Sequence, residues 1–162
     1  MPDCMKSLTE MGLRDVVVDA QRERPFLGIC LGMQMLFAES EEGPTAGLGV
    51  LPGRVVRFRD EEMTGRGGER LKIPHMGWNR VHQTRPHRLW QDIPQDSRFY
   101  FAHSFHPVPD NQEAGVASTD YGHRFTCAIA RANIFATQFH PEKSQLAGLQ
   151  LLANFVAWDG TL

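Results

Sequence analysis

Cysteine is scarce in this chain and shows no pairing pattern. Cys4, Cys30 and Cys127 are odd in number and form no Cys-x-x-Cys spacing. That argues against a disulfide framework and a cysteine zinc site, and makes a reducing cytoplasm the default compartment. An excess of one charge is lacking too: the formal net charge is −2. Bulk charge therefore points to neither a nucleic-acid nor an anionic membrane partner. No apolar run is long enough to span a bilayer, and the opening MPDCMKSLTE contains no signal-peptide core. Internal repeats, low-complexity tracts and heptads are absent as well. What remains is 162 residues, 41% hydrophobic and 22% charged. That composition fits a single globular domain, residues 1–162, able to bury a core.

Read in order, Asp3–Met11 and Leu13–Arg22 are one helix broken near Gly12, or two short ones. Met5, Leu8, Val16 and Val17 give an apolar stripe, with Asp3 as a candidate N-cap. Arg24-Pro25 ends the helical pattern and leads into a strand, Phe26 to Ile29. Leu31–Ser40 is free of Pro and rich in unbranched helix formers, so a helix is expected there. An acidic, Gly-containing loop from Glu41 to Gly49 precedes a strand over Leu51–Phe58. Arg59–Arg70 is polar and Gly-rich without phosphate-loop spacing, which makes it a solvated hairpin loop. Pro74 confines the next stretch to a sheet edge or a strand end. A short helical piece at Leu89–Ile93 and strands at Arg98–Phe105, Ala114–Tyr121, Phe125–Arg131 and Ile134–Phe139 follow, with Ala132-Asn133 as a tight turn. Ser144 is placed to cap a last amphipathic helix carrying Leu146, Leu149, Leu152, Phe155 and Val156. Strands mixed with flanking helices point to an α/β sandwich with a hairpin-rich middle.

The chemistry concentrates at Gly28-Ile-Cys-Leu-Gly-Met-Gln34. Cys30 sits between a short apolar strand and a helix, with Gly two residues away on either side. That is the spacing of a nucleophile elbow with Cys in place of Ser. The tight turn needs neighbours without bulk, and a helix N-terminus beside the sulfur favours thiolate. A lone Cys also packs well as a small hydrophobe, so the elbow alone does not decide. A thiolate nucleophile needs a base, and the base an orienting group. His140 and Glu142 meet this at a strand end, with Pro141 fixing the backbone between them. Glu142 would accept from the ring N–H and balance the imidazolium that forms with the thiolate. His103 and His106 suggest a metal, but no carboxylate or Cys completes a ligand set. Cys4 and Cys127 read as structural thiols. His75, His82, His87 and His123 suggest no chemistry.

Gly28–Gln34 together with Phe139-His-Pro-Glu-Lys-Ser144 resembles the class I (triad) glutamine amidotransferases. Lys72-Ile-Pro-His-Met-Gly-Trp-Asn79 and Tyr100-Phe-Ala-His-Ser-Phe105 narrow the likeness to the glutaminase subunit of imidazole glycerol phosphate synthase, from histidine biosynthesis. The resemblance runs from Pro2 to the C-terminus. It implies a flavodoxin-like three-layer α/β sandwich with a mixed, mostly parallel sheet and a β-hairpin region. It implies that Cys30 attacks the amide of L-glutamine, that His140 protonates the departing ammonia and activates water, and that Glu142 orients His140. The Leu31 N–H would be one oxyanion donor, Gln34 a substrate contact, and Ser104 and Phe105 the strand end whose backbone holds the amino-acid part. Trp78, Tyr100 and Lys143 would face a (β/α)8 barrel cyclase in a heterodimer. Ammonia would pass to that cyclase, which combines it with a phosphoribulosyl-formimino aminoimidazole carboxamide nucleotide. The products are imidazole glycerol phosphate and an aminoimidazole carboxamide ribotide. No cofactor is implied. Two alternatives stand beside this: a non-catalytic, partner-binding subunit, and the amidotransferase subunit of another synthase, against which the KIPHMGWN stretch argues.

Chains of the family open earlier, with a first strand and later a Gly-rich loop carrying a second oxyanion donor. Met1-Pro-Asp-Cys4 aligns with the helix just after that loop, so the N-terminal strands are expected to be missing. Loss of a donor costs roughly two to three orders of magnitude in rate, and an uncovered strand favours association. The expected outcome is poor solubility and little glutaminase activity for the isolated chain. Light scattering and a glutamine turnover assay check this, and a monodisperse monomer with ordinary turnover refutes it.

Overall fold

The protein is described from a computed structural model, over residues 1–65 and 67–161. Helices α1 (Pro2–Glu10) and α2 (Arg14–Glu23) lead into strand β1 (Phe26–Ile29). The single-turn helix α3 (Leu31–Gln34) follows, then β2 (Phe37–Ser40), β3 (Thr45–Ala46) and β4 (Leu51–Arg57). The hairpin-rich part comprises β5 (His75–Arg80), β6 (His82–Gln83), β7 (Arg98–His103) and β8 (Phe105–Pro109). The chain ends with β9 (Gly115–Tyr121), β10 (His123–Arg131), β11 (Ile134–Thr137) and helix α4 (Gln145–Ala157).

A five-stranded sheet runs β1-β11-β10-β9-β6, a four-stranded one β3-β2-β4-β8, and β5 and β7 form a ribbon. The α/β class and the mixed sheets match expectation. The predominance of parallel pairing does not: among the described residues, β1–β11 and β2–β4 are parallel and the other six pairings antiparallel. The cause is connection length. Gly122 alone joins β9 to β10, and Ala132-Asn133 joins β10 to β11; such short links permit only antiparallel neighbours. One core gathers Phe99, Phe101, Phe135, Phe139 and Leu151 with Trp90 and Trp158. A second holds Met33, Leu36, Phe37, Leu51, Val55 and Ala136.

Several local expectations are corrected. The helix after Cys30 lasts one turn, because Phe37–Ser40 pairs in parallel with β4. Arg98–Phe105 is two strands broken at Ser104: β7 pairs with β5 and β8 with β4. Asp3 lies inside α1, whose N-cap is Met1. Cys4 is exposed rather than packed, while Cys127 is fully buried. Ser144 does not cap α4 through its side chain. Its hydroxyl accepts from the Tyr100 N–H at 2.9 Å and donates to the His140 carbonyl at 2.6 Å. The buried face of α4 is also not the expected one: Leu151 is buried, whereas Leu146, Leu149 and Val156 are exposed. Gly148 sets that orientation. A Cβ there would lie 1.8 Å from the Pro141 carbonyl, so α4 presents its Gly to the 3-10 turn Pro141–Lys143.

Four histidines form a cluster around Phe58. Ring centroids of His106, His103 and His123 lie 4.8, 5.3 and 5.7 Å from it, and His75 6.5 Å. Burial pulls His75 and His106 down to about 4 and His103 to about 3. These imidazoles are neutral in the fold but titrate near 6.5 when unfolded. Between those values the unfolded chain binds more protons. Stability is therefore complete above about pH 6.5 and falls toward about pH 4, by up to about 1.4 kcal/mol per pH unit for each group. Urea midpoints at about pH 7.5 and about pH 5 should differ, and His103→Phe should flatten the slope.

Candidate active site

The site is assembled by one parallel pairing. β1 runs beside β11 in the register Phe26↔Ile134 to Ile29↔Thr137. Both strands therefore reach the same sheet edge, where α/β folds place ligands outside the strand carboxyl ends. The Cys30 N–H continues the ladder, donating to the Thr137 carbonyl at 2.7 Å. Cys30 then turns sharply, at φ 50° and ψ −107°. A non-Gly residue held there stores strain of about 1–3 kcal/mol. The Met33 and Gln34 N–H groups offset it by donating to the Cys30 carbonyl at 3.1 and 3.2 Å.

The two flanking glycines are not equivalent. A Cβ on Gly28 would lie 3.1 Å from the Gly32 carbonyl and the Met33 nitrogen, and 3.2 Å from the Ala136 Cβ. At Gly32 a Cβ would meet nothing within 4 Å. The expected need for small neighbours therefore holds on the strand side only, among the described residues.

Past β11 the chain crosses Gln138 and Phe139, both fully buried, to His140. The His140 N–H donates to the Tyr100 carbonyl at 2.9 Å, and the Ser144 hydroxyl grips the loop from the other side. The His140 Nδ1 lies 2.7 Å from the Glu142 Oε1. A carboxylate only accepts, so Nδ1 carries a hydrogen, and in the neutral ring Nε2 is the atom free to accept a proton. Cys30 and the His140–Glu142 pair thus lie just beyond the ends of adjacent parallel strands.

The sulfur departs from expectation in its ionisation. Burial pushes the Cys30 thiol up; the Leu31 N–H directed at it pulls down, Glu142 raises, and Gln138 and Lys143 lower. The net direction is upward, so the one-turn helix does not by itself favour thiolate. Gln138 was not singled out by the sequence, yet its Nε2 lies 3.6 Å from the Cys30 Sγ. Its place two residues before His140 is the signal that could have found it.

Gln34 is buried one turn from Cys30, and its Nε2 donates to the Phe105 carbonyl and the Gln138 Oε1, both at 3.0 Å. The Ser104 carbonyl accepts from the Phe58 N–H at 3.1 Å, and the Phe105 carbonyl also meets the His103 Nδ1 at 2.8 Å. The carbonyls of the expected substrate-holding strand end are therefore engaged within the protein. Trp78 and Tyr100 are cross-strand partners, packed edge to face at 6.1 Å. Trp78 is 38% exposed. Lys143 is exposed on the turn that carries Glu142.

The family model described as glutamine amidotransferase class-I matches residues 12–158. A subunit HisH of imidazole glycerol phosphate synthase from Aromatoleum aromaticum is 59% identical over 98% of this chain and 74% of its own length. The same-named subunit from Chromobacterium violaceum is 55% identical over 100% of this chain and 76% of its own. The chain belongs to the class-I glutamine amidotransferases, among the HisH subunits. Solved structures agree on the fold. A glutamine amidotransferase structure covers 93% of this chain and 72% of its own, with a TM-score of 0.60 and 20% identity. Another, from Thermotoga maritima, has a TM-score of 0.56 and 20% identity over 92% of this chain; the chain spans about half of it, 53%. Among the described residues no helix is long and apolar enough to cross a membrane.

Within this amidotransferase frame the two glycines can be told apart experimentally. Gly28→Ala must push backbone atoms and should cost about 1–3 kcal/mol. Gly32→Ala, in open space on a helix, should be neutral or stabilising by up to about 1 kcal/mol. Urea unfolding midpoints of the two variants check the contrast.

Proposed function

We propose that this chain hydrolyses L-glutamine to glutamate and ammonia and hands the ammonia to a cyclase subunit. The observation that carries the proposal is Cys30 on a strained turn at the end of β1, with the His140–Glu142 pair at the end of the adjacent parallel strand. His140 Nε2 takes the Cys30 proton as the sulfur adds to the side-chain carbonyl carbon of glutamine. The thiol's raised pKa makes that transfer necessary, because little free thiolate exists near neutrality. The Leu31 N–H, already directed at the sulfur, is placed to donate to the oxyanion. The protonated His140 then gives its proton to the leaving nitrogen, which departs as ammonia and leaves a glutamyl thioester. Water, deprotonated by the same nitrogen, cleaves the thioester to glutamate and restores the thiol. Glu142 holds the Nδ1 hydrogen throughout and orients the ring. Gln34 adds its carboxamide oxygen as a substrate contact, and the Ser104–Phe105 strand end borders the amino-acid part.

The partner proposed is the (β/α)8 barrel cyclase of imidazole glycerol phosphate synthase, in a heterodimer working in the cytoplasm. There the ammonia enters histidine biosynthesis, giving imidazole glycerol phosphate and aminoimidazole carboxamide ribotide. Trp78, Tyr100 and Lys143 form the proposed docking patch, since aromatics are enriched at interfaces and the exposed Trp78 packs on the half-buried Tyr100. Tyr100 is one hydrogen bond from His140, so this patch adjoins the catalytic loop.

The test is glutamine hydrolysis with the cyclase subunit present, for the wild type and Cys30→Ala. Turnover in the wild type should fall at least about a thousandfold in the variant. Equal background rates in both would leave only a partner-binding role.

A further inference from the structure

A chain of buried hydrogen bonds fixes which way Gln138 faces the nucleophile. Its polarity can be deduced from backbone carbonyls, which accept and never donate. The Phe105 carbonyl lies 3.0 Å from one amide terminus of Gln34, which must therefore be its NH2. That NH2 also lies 3.0 Å from the carboxamide of Gln138, whose nearer atom must be its oxygen. The remaining terminus of Gln138 is then its NH2, and it points at the Cys30 Sγ at 3.6 Å.

The other arm is fixed in the same way. The His103 Nδ1, 2.8 Å from the Phe105 carbonyl, must carry a hydrogen. A neutral His103 then accepts at Nε2, so the His75 Nδ1, 3.0 Å away, donates. The His75 Nε2 is left to accept from the Asn79 Nδ2 at 3.3 Å, and that same amide donates to the Asp120 carbonyl at 2.9 Å. His75 cannot turn over easily, because it is stacked between Tyr121 at 3.9 Å and Phe101 at 4.6 Å. Gln34, Gln138, His75 and His103 are all buried. Reversing any one amide would leave two acceptors or two donors facing each other out of water, which costs about 1–3 kcal/mol.

We propose that Gln138 is a positioning residue of the glutaminase, locked by Gln34 and the Phe105 carbonyl as a hydrogen-bond donor to the Cys30 sulfur. Its NH2 steadies the sulfur in the conformation from which it attacks and stabilises the thiolate once His140 has taken the proton. Glu142 raises the thiol and Lys143 lowers it from the neighbouring turn, and the Leu31 N–H faces it from α3. Gln138 supplies a fixed side-chain donor from β11's extension. The inference rests on the assignment of Cys30 as nucleophile, but its test does not need turnover.

The experiment measures iodoacetamide alkylation of Cys30 against pH by peptide mass spectrometry, in a Cys4→Ser background, with glutamine hydrolysis followed in parallel in the presence of the cyclase subunit. Gln138→Leu removes the donor at similar volume, and Gln138→Glu replaces it with an acceptor. Both should move the alkylation midpoint to higher pH and slow alkylation at about pH 8 by about three- to tenfold, a shift of about half to one pKa unit. Raising the pH should restore the rate, and kcat should fall more than KM rises. Profiles that coincide with the wild type overturn the proposal. So does a shift of both variants toward faster, unhindered alkylation, which would mean that Gln138 only fills space. If the wild type turns over no glutamine while the variants still shift the profile, the donor role stands and the glutaminase reading falls.

Discussion

The parallel pairing of β1 with β11 is the constraint on which the site depends. It joins strands that are far apart in the chain, and its last rung is the Cys30 N–H on the Thr137 carbonyl. Parallel neighbours cannot be joined by a tight turn, so the intervening chain must leave and return. It does so through the four-stranded sheet, the β5–β7 ribbon and the β9–β10 hairpin. The reward for that long closure is geometric. Two strands ending at one edge present the thiol and the imidazole loop side by side. A slip of one residue between them would send every side chain of β1 to the opposite face.

The loop that carries His140 is held by unrelated contacts that agree with one another. The Tyr100 carbonyl takes the His140 N–H, the Ser144 hydroxyl takes the Tyr100 N–H and returns its own hydrogen to the His140 carbonyl, and Glu142 takes the ring hydrogen. Gly148 lets α4 lie against Pro141 beneath them. The expected role of Ser144 as a helix cap gave way because a hydroxyl between the Tyr100 N–H and the His140 carbonyl satisfies both a donor and an acceptor, whereas a cap would satisfy one donor.

How much of this was legible in the sequence depended on range. The candidate site of Cys30, His140 and Glu142 was legible because the proposed chemistry needs those residue types on strand ends, and strand ends show in short apolar runs. The strands from Ala114 to Phe139 were legible because their turns are local. The failures are tertiary. Leu31–Ser40 has helical composition, yet Phe37–Ser40 pairs with β4, and pairing outweighs propensity differences of a few tenths of a kcal/mol. Leu146, Leu149 and Val156 have the spacing of a buried stripe. The face α4 buries is set by the close approach at Gly148 instead, which no periodicity reveals. Apart from His103 and His106, these histidines come from separate stretches of the chain, so their gathering around Phe58 could be read only from the fold.

Nucleophile elbows are usually explained by a helix N-terminus lowering the pKa of the group before it. Here that helix has one turn, and a macrodipole needs several aligned peptides to approach half a charge. Desolvation is the leading influence on Cys30, and it acts upward. What opposes it is a small set of placed groups: one backbone N–H, one carboxamide and one lysine. A donor near a sulfur helps only if it cannot rotate away, which explains why so much buried polar structure stands behind a single amide. Gln34 orients Gln138, a backbone carbonyl orients Gln34, and His103, itself fixed by His75, completes the same carbonyl's hydrogen bonds. The thiol is thus kept protonated at rest by burial and is surrounded by donors that act fully once it loses its proton. Such a group reacts when a base is aligned to take that proton. In the proposed reaction, reactivity then depends on the geometry of His140 more than on the standing population of thiolate.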